Sequence, residues 1–208
     1  MTDPCQVWGA SQISQVIGAL ASDGSGRVVS SLVLSPTQNA RGPGEIWLRS
    51  ASPAANSERG ARQLISNPEY DLYQPHFSPN GRWIVFAAIR SLPTRTESIL
   101  YVTEAAGGPW VRITNGRYWD DKPRWAPDGK TLYFVSGRGG FFNVFGIRFD
   151  PSKGKAIGDP FRVTSFESPA LMVPKYIYPV ELSLTQDKLV LTMEKRSGSI
   201  WVRDNVDR

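Results

Sequence analysis

The residue types that could carry out catalysis are sparse in this sequence of 208 residues, which contains one histidine, His76. A serine hydrolase triad would have to use that histidine, and the G-x-S-x-G turn that presents a nucleophilic serine in one hydrolase class does not occur. Asp120 and Asp121 form the best carboxylate pair, but neighbours on an extended strand point to opposite faces, so they make a poor acid and base pair. We therefore expect no catalytic site.

Metal, nucleotide and disulfide sites also lack their usual residues. The sequence has no H-E-x-x-H zinc motif, no D-x-D-x-D-G calcium loop and no G-x-x-x-x-G-K-[ST] phosphate loop. Its single cysteine, Cys5, has no partner within the chain for a disulfide and no paired cysteines for a zinc site. We expect no metal, no cofactor and a fold stabilised by packing alone.

The charge distribution predicts neither nucleic-acid binding nor membrane insertion. The net charge is +5, but the basic residues are dispersed and dense pairs are short, as at Lys195-Arg196. Such a distribution is typical of a solvated surface. No stretch approaches the roughly 18 apolar residues of a membrane span, and the first residues lack the basic and apolar regions of a signal peptide. We expect a soluble chain that carries no export signal.

A repeat organises the sequence. Residues 77–86 read F-S-P-N-G-R-W-I-V-F and residues 125–134 read W-A-P-D-G-K-T-L-Y-F, with weaker copies at 182–191 and around 20–24. Proline fixes φ before residues that tolerate positive φ, which predicts a tight turn, and the apolar flanks predict strands. Each clear copy continues with two further apolar strands, the last ending in threonine or serine.

Four such units of about 50 residues predict an all-β fold, because four strands per unit is the pattern of one propeller blade. We expect one β-propeller region over residues 1–208, with about four blades of four antiparallel strands, either as a four-bladed ring or as part of a larger propeller. The units are predicted at residues 13–66, 67–114, 115–166 and 167–204.

The sequence resembles the TolB-like, WD40-like propeller repeat at four places. These are Phe77–Arg82, Trp125–Lys130, the S-G-R-G-G run at 136–140, and Gly107-Gly108 followed by Arg112-Ile113-Thr114. Propellers of this family usually have six or more blades, so the resemblance favours a fragment of a longer protein. It also implies a bacterial, periplasmic or otherwise extracytoplasmic setting.

Candidate binding residues lie in the loops that lead into the first strand of each unit, at 67–73, 115–121 and 174–179. In the resembling family these loops ring one mouth of the channel, and exposed aromatics beside charged groups are typical of binding surfaces. The predicted binding residues are Tyr70, Asp71, Tyr73, Tyr118, Trp119, Asp120, Asp121, Arg138, Tyr176 and Tyr178. We expect Trp119 and Asp121 to be exposed. Packing between blades is the alternative role for Tyr70, Tyr118 and Tyr178.

The tryptophans within apolar strand patterns are expected in the core. These are Trp47, Trp83, Trp125 and Trp201. Trp110 and Trp119 fit either a core or a surface position.

Three functions fit these residues. The first is a non-catalytic binding or scaffolding module for a protein partner, with a peptide or a carbohydrate as a further ligand class. The second is the substrate-gating propeller of a hydrolase similar to prolyl oligopeptidases, whose chemistry would lie in a separate domain. The third is a carbohydrate-active propeller similar to pectate lyases, which the single histidine makes hard to assemble.

Overall fold

The computed structural model describes residues 13–20, 27–34, 44–50, 62–174 and 180–198. This part of the chain is built of β-strands and contains no helix, so none is present that is long and apolar enough to cross a membrane. Blade 1 consists of β1 (Ile13–Leu20), β2 (Arg27–Leu34), β3 (Gly44–Ser50) and β4 (Arg62–Ile65). Blade 2 consists of β5 (Asp71–Phe77), β6 (Trp83–Ser91), β7 (Thr96–Glu104) and β8 (Val111–Arg112).

Blade 3 consists of β9 (Asp120–Trp125), β10 (Thr131–Ser136), β11 (Asn143–Asp150) and β12 (Lys155–Arg162). Blades 1 to 3 are each one antiparallel sheet of four strands in chain order. Blade 4 has two two-stranded sheets in the described residues: β13 (Leu171–Met172) pairs with β16 (Glu194–Lys195), and β14 (Leu182–Leu184) pairs with β15 (Leu189–Leu191). The predicted all-β propeller architecture is confirmed as a partial propeller.

The Pro-Asn-Gly and Pro-Asp-Gly sequences form the turns between the first and second strands of blades 2 and 3. Gly81 and Gly129 have φ of 65° and 66°, a conformation that glycine adopts without steric cost. The side chain before each glycine closes the turn, since Asn80 accepts a hydrogen bond from the Arg82 amide (3.1 Å) and Asp128 accepts one from the Lys130 amide (2.8 Å). The turn chemistry predicted from the sequence is present in both blades.

The corresponding hairpin of blade 4 has a different register. In blade 2 Phe77 pairs with Ile84, whereas in blade 4 Leu182 pairs with Leu191 and Leu184 pairs with Leu189. The Thr185 hydroxyl closes this turn by accepting a hydrogen bond from the Lys188 amide (3.0 Å). Without proline and glycine the chain forms a tighter turn, and the strands extend further toward it.

An Arg-x-Thr sequence closes the outer strand of blades 2 and 3 in the same way. The Thr114 hydroxyl accepts a hydrogen bond from the Leu100 amide (3.1 Å), and the Thr164 hydroxyl accepts one from the Val144 amide (2.9 Å). The arginine two residues earlier donates to each threonine carbonyl, at 2.9 and 2.8 Å. The outer strand of blade 3, Lys155–Arg162, is longer than that of blade 2, Val111–Arg112.

The hydrophobic core lies between adjacent blades. Trp83 and Trp125 are buried in the cluster between blades 2 and 3, as predicted. Trp47 is half-buried, with its indole N–H donating to Glu45 (3.0 Å), and Trp201 lies outside the described residues. Blades 1 and 2 enclose a second cluster, and blades 3 and 4 enclose a smaller aliphatic one. Each blade is therefore stabilised mainly by its neighbours.

Candidate functional site

Two tyrosine–arginine pairs mark one edge of the sheets, which we call the mouth edge. It carries the turns leading into β5 and β9 and the β6–β7 and β10–β11 connections. The Arg90 guanidinium lies 5.1 Å from the centre of the Tyr70 ring, and that of Arg138 lies 5.2 Å from the Tyr118 ring. The two pairs occupy equivalent positions 48 residues apart. Loops that the sequence singled out thus meet arginines at the ends of the second strands of blades 2 and 3.

Arg138 is the centre of the pair on blade 3. Its guanidinium donates to both carboxylate oxygens of Asp120 (2.9 and 3.1 Å) and to the Ser136 hydroxyl (2.9 Å). It also lies over the rings of Phe134 and Phe145, at 5.4 and 5.0 Å. A planar guanidinium suits both contacts, because it forms bidentate bonds to carboxylates and stacks on aromatic faces. Arg138 is therefore held rigidly.

Tyr118 is the exposed part of this cluster, with 38% of its surface accessible. Arg117 approaches the same ring, with its guanidinium 5.9 Å from the ring centre. Cation–π contacts of this kind contribute about 0.5–1 kcal/mol at exposed sites. The ring thus has two guanidinium groups within 6 Å of its centre, while 38% of its surface stays accessible.

Asp120 is on strand β9 and completely buried, which differs from its expected place in a loop. Burial raises the pKa of its carboxyl, while hydrogen bonding to Ser136 and the Arg138 charge act in the opposite direction. The Asp120 carbonyl accepts a hydrogen bond from the Ser98 hydroxyl of blade 2 (2.6 Å). Asp120 positions Arg138 and ties blade 3 to blade 2, and a ligand would not reach it directly.

Asp121 is also buried, at 5% exposure, so its expected exposure is wrong. The reason is that β9 begins at Asp120 and places both carboxylates within the sheet. Burial raises the pKa of Asp121, opposed by the Lys122 charge and by the Lys122 amide, which donates to Asp121 (2.7 Å). Trp119 is half-buried, again contrary to expectation, and its indole nitrogen is buried with no hydrogen-bond partner among the described residues.

The equivalent site on blade 2 is an acidic residue between two arginines. Glu97 is buried, at 6% exposure, and accepts hydrogen bonds from Arg90 (3.0 and 3.1 Å) and from Arg95. Although burial opposes ionisation, the hydrogen bonds from the Arg95 and Arg90 side chains lower the pKa of Glu97. The sequence did not single out Glu97, because its pairing with Arg90 follows from the β6–β7 register.

Tyr70 packs between blades 1 and 2, which supports the packing interpretation for this residue. Its ring meets Tyr101 and Trp110 edge to face, at 6.4 and 6.2 Å. Trp110, for which the sequence allowed either a core or a surface position, is partly buried against the cluster between blades 1 and 2. Tyr70 therefore offers less accessible surface than Tyr118.

The remaining predicted residues lie in different places. Asp71 and Tyr73 are half-buried on strand β5 instead of in the preceding loop, and Asp71 accepts a hydrogen bond from the Gly44 amide of blade 1 (2.9 Å). Tyr176 and Tyr178 lie outside the described residues. No group of three potential metal ligands occurs in the part of the chain that is described.

His76 is half-buried on strand β5 beside Arg124 of blade 3. Burial and the positive charge of Arg124 lower its pKa to about 3. Its carbonyl accepts a hydrogen bond from the Trp125 indole (3.1 Å). His76 is neutral at pH 7 and joins two blades through its backbone.

Comparison with known proteins identifies the family. A family profile described as the TolB beta propeller domain matches residues 52–175, more than half of the chain. The chain belongs to the TolB β-propeller family. TolB from Acinetobacter baumannii superposes with a TM-score of 0.59 at 22% identity, covering 89% of this chain and 39% of that one.

Two further proteins are similar to this chain, one in structure and one in sequence. Prolyl oligopeptidase B from Galerina marginata, bound to a 25mer macrocyclization substrate, superposes with a TM-score of 0.57 at 10% identity, covering 92% of this chain and 27% of that one. The putative Tricorn-like protease C-terminal subunit of Sulfurisphaera tokodaii is 29% identical over 96 residues, which are 46% of this chain and 10% of that protein. The chain thus spans less than half of each of these proteins.

Proposed function

We propose that this TolB-family chain is a non-catalytic binding module that holds an extended segment of a partner protein at the mouth edge. The observation that carries the proposal is the Tyr118 ring, which is 38% exposed and fixed between Arg117 and Arg138. Tyrosine and arginine dominate the binding energy of protein interfaces when they are rigid before the partner arrives. On blade 3 the tyrosine is the partly exposed Tyr118, and the arginine is Arg138, whose guanidinium is held by Asp120 and Ser136.

The buried carboxylates support binding over catalysis. Asp120 and Glu97 are each occupied by an arginine, and His76 is neutral with its side chain beside a cation. A general acid or base needs an accessible group whose pKa lies near the working pH. Asp120 and Glu97 fail the first condition because both are buried and bound by arginine, and His76 fails the second because its pKa is lowered to about 3. The two carboxylates hold the arginines of the mouth edge instead.

A peptide library displayed on phage tests the proposal. We expect selection against the chain to enrich peptides whose affinity falls about ten-fold or more in Tyr118→Ala and in Arg117→Ala, as for residues central to an interface. Ile157→Ala is the matched control, because Ile157 is 52% exposed but lies on the outer strand β12. Peptides that bind all three variants equally would contradict a mouth-edge site.

The gating propeller of a prolyl-oligopeptidase-like hydrolase is the second candidate. The likeness to prolyl oligopeptidase B favours it at the level of the fold. The proposal then places a hydrolase domain elsewhere in a longer protein, and the mouth edge would face that domain. Sequencing the complete gene distinguishes the two, since a downstream G-x-S-x-G segment supports the hydrolase and its absence supports the binding module.

The proposal includes a periplasmic or otherwise extracytoplasmic location. Membership of the TolB family supports this assignment. Fractionation of cells that express the full-length gene product is the test, and recovery with the cytoplasmic fraction would contradict it.

A further inference from the structure

A groove of about 640 Å³ lies between blades 3 and 4 on the edge opposite the mouth edge. One wall is the sheet of blade 3, with Tyr133, Arg148 and Val163. The other wall is the β14–β15 turn, residues 184–189, and the Ala126–Asp128 turn forms one end. Its volume falls in the range of small-molecule sites, roughly 300–1,000 Å³.

On the blade 3 side of the groove, a small residue stands where the neighbouring blade has a tryptophan. Trp83 and Thr131 are the first residues of β6 and β10, the second strands of their blades. Trp83 fills the space between blades 2 and 3, meeting Phe149 edge to face at 5.8 Å and donating to the Pro151 carbonyl (3.0 Å). Thr131 is too small to fill the equivalent space between blades 3 and 4, and it is itself 2% exposed, with the Arg148 side chain bonded to its hydroxyl (3.2 Å).

The exposure of a second equivalent pair shows the same difference. Ile113 and Val163 are the middle residues of the two Arg-x-Thr closures. Ile113 is 7% exposed, whereas Val163 is 42% exposed. The Arg-x-Thr backbone is alike at both places, so the difference on the blade 3 wall lies in the side chains. The opposite wall differs as well, because the β14–β15 hairpin of blade 4 has another register than the hairpin of blade 2.

Arg148 offers hydrogen-bond donors from a fixed position in the groove. One of its terminal nitrogens donates to the Thr131 hydroxyl (3.2 Å), and its guanidinium lies 5.6 Å from the centre of the Phe161 ring. Neither Arg148 nor Lys188 forms an ion pair with any residue that the structure describes. Because guanidinium has five N–H donors, several remain for a ligand.

The charges in the groove balance. The cations Arg148 and Lys188 stand with the carboxylates Asp128 and Asp187 on the same lining. Each carboxylate accepts one bond within its own turn, Asp128 from the Lys130 amide and Asp187 from the Thr185 hydroxyl (3.0 Å). A strongly anionic or cationic ligand would meet as much repulsion as attraction, whereas hydroxyl groups can donate to the carboxylates and accept from the cations.

The walls between these polar groups are apolar. Tyr133 presents an aromatic side chain, and Val163, Leu184 and Leu189 add aliphatic surface. A sugar ring has the matching chemistry, with an apolar face of C–H groups and a rim of hydroxyls. We propose that this groove binds a neutral oligosaccharide, independently of the partner proposed at the mouth edge.

Titration of the isotopically labelled chain with maltotriose, cellotriose and triacetylchitotriose, three neutral sugars, followed by NMR, tests the proposal. We expect at least one of these sugars to shift the backbone amides of Thr131, Arg148 and residues 184–189. Thr131→Trp should weaken that binding about ten-fold or more by filling the groove as Trp83 does between blades 2 and 3. Thr131→Ser keeps the hydroxyl that Arg148 bonds and should leave the dissociation constant within about two-fold.

A second variant covers the case in which Thr131→Trp does not fold. Val163→Trp adds bulk to the groove from an exposed position and should weaken binding in the same way. The proposal is overturned if none of the three sugars shifts the groove amides, or if binding is unchanged in both tryptophan variants. A response of the groove amides to a tetrapeptide and to none of the sugars would also overturn the proposal, because the groove would then bind peptide instead of oligosaccharide.

Discussion

The interface between blades 2 and 3 is filled with aromatic side chains, whereas the interface between blades 3 and 4 is aliphatic and closed only toward the mouth edge. In the first, Trp83, Trp125 and Phe149 pack edge to face. In the second, Val135, Val144 and the buried residues of blade 4 form a small cluster, and the rest of the contact region is the groove.

This difference separates what the repeat determines from what individual side chains determine. The Arg-x-Thr closure and its hydrogen bonds are the same on blades 2 and 3. At the groove, Thr131 stands where the other interface has a tryptophan, and the facing wall is the β14–β15 turn, whose register differs from that of blade 2. The groove therefore combines a side-chain difference on one wall with a backbone difference on the other.

The largest effect is expected from Trp83→Ala, which empties the closed interface. Removing a buried tryptophan costs about 3–5 kcal/mol of unfolding free energy, because its transfer energy is lost and a cavity remains. Thr131→Ala at the open interface should cost about 1 kcal/mol, the value of its hydrogen bond to Arg148. Urea denaturation of both variants measures the difference. Equal losses would mean that the two interfaces contribute alike.

The next effect concerns Gly154, whose φ is +66° and where an added Cβ would overlap the Trp83 indole. Gly154→Ala should cost about 3 kcal/mol, combining left-handed backbone strain with overpacking. Gly158→Ala is the matched control, because φ is +68° there and no atom lies within 4 Å of the added Cβ. It should cost only the strain, about 1–2 kcal/mol. Equal thermal stabilities would show that the Trp83 contact is loose.

The turns and the strand order of blades 2 and 3 were predictable from the sequence, because Pro-Asn-Gly and Pro-Asp-Gly act through local backbone geometry. Burial of Trp83 and Trp125 was predictable for a similar reason, since both stand in apolar strand patterns. The hairpin register of blade 4 was not, because the Thr185 turn leaves no comparable pattern. Turns set by adjacent residues can be predicted from the sequence, whereas the register of a strand depends on its neighbouring strand and cannot.

The candidate site was predictable only in part. Tyr118 and Arg138 were identified from aromatic and basic loops, and they do meet. The burial of Asp120 and Asp121 was not anticipated, because a carboxylate is expected at the surface until its arginine partner is known. Glu97 was missed for the same reason. The exchange of Trp83 for Thr131 is visible in the aligned repeat copies, but the groove was not predictable, because its other wall is the β14–β15 turn, whose register no local pattern indicates.

A pH-dependent effect at the closed interface follows from His76. Its pKa is lowered from 6.5 to about 3 in the folded chain, so below pH 6.5 the unfolded chain binds a proton that the folded chain does not. Stability is therefore full above pH 6.5 and falls as the pH is lowered toward 3. At pH 5 the loss is about 2 kcal/mol, from about 1.4 kcal/mol per pH unit.

His76→Gln isolates this contribution, because it keeps the backbone carbonyl that accepts the Trp125 hydrogen bond and removes the titrating group. The difference in unfolding free energy between the two chains should change by that amount between pH 7.5 and pH 5. Parallel stability curves would show that His76 titrates alike in both states.

The smallest effect is expected at the Arg124–Glu181 ion pair, which joins the first strand of blade 3 to the segment leading into β14 of blade 4. The pair is long, at 3.5 Å, and Glu181 is 72% exposed, so water and salt screen it. Glu181→Gln should lower the unfolding free energy by less than about 0.5 kcal/mol, a loss that 0.5 M salt should abolish. A salt-independent loss of 1 kcal/mol or more would mean that this pair, and not the aliphatic cluster, holds blade 4 in place. The interface between blades 3 and 4 would then be stabilised by charge. It would differ from the interface between blades 2 and 3 in the type of interaction as well as in how completely it is packed.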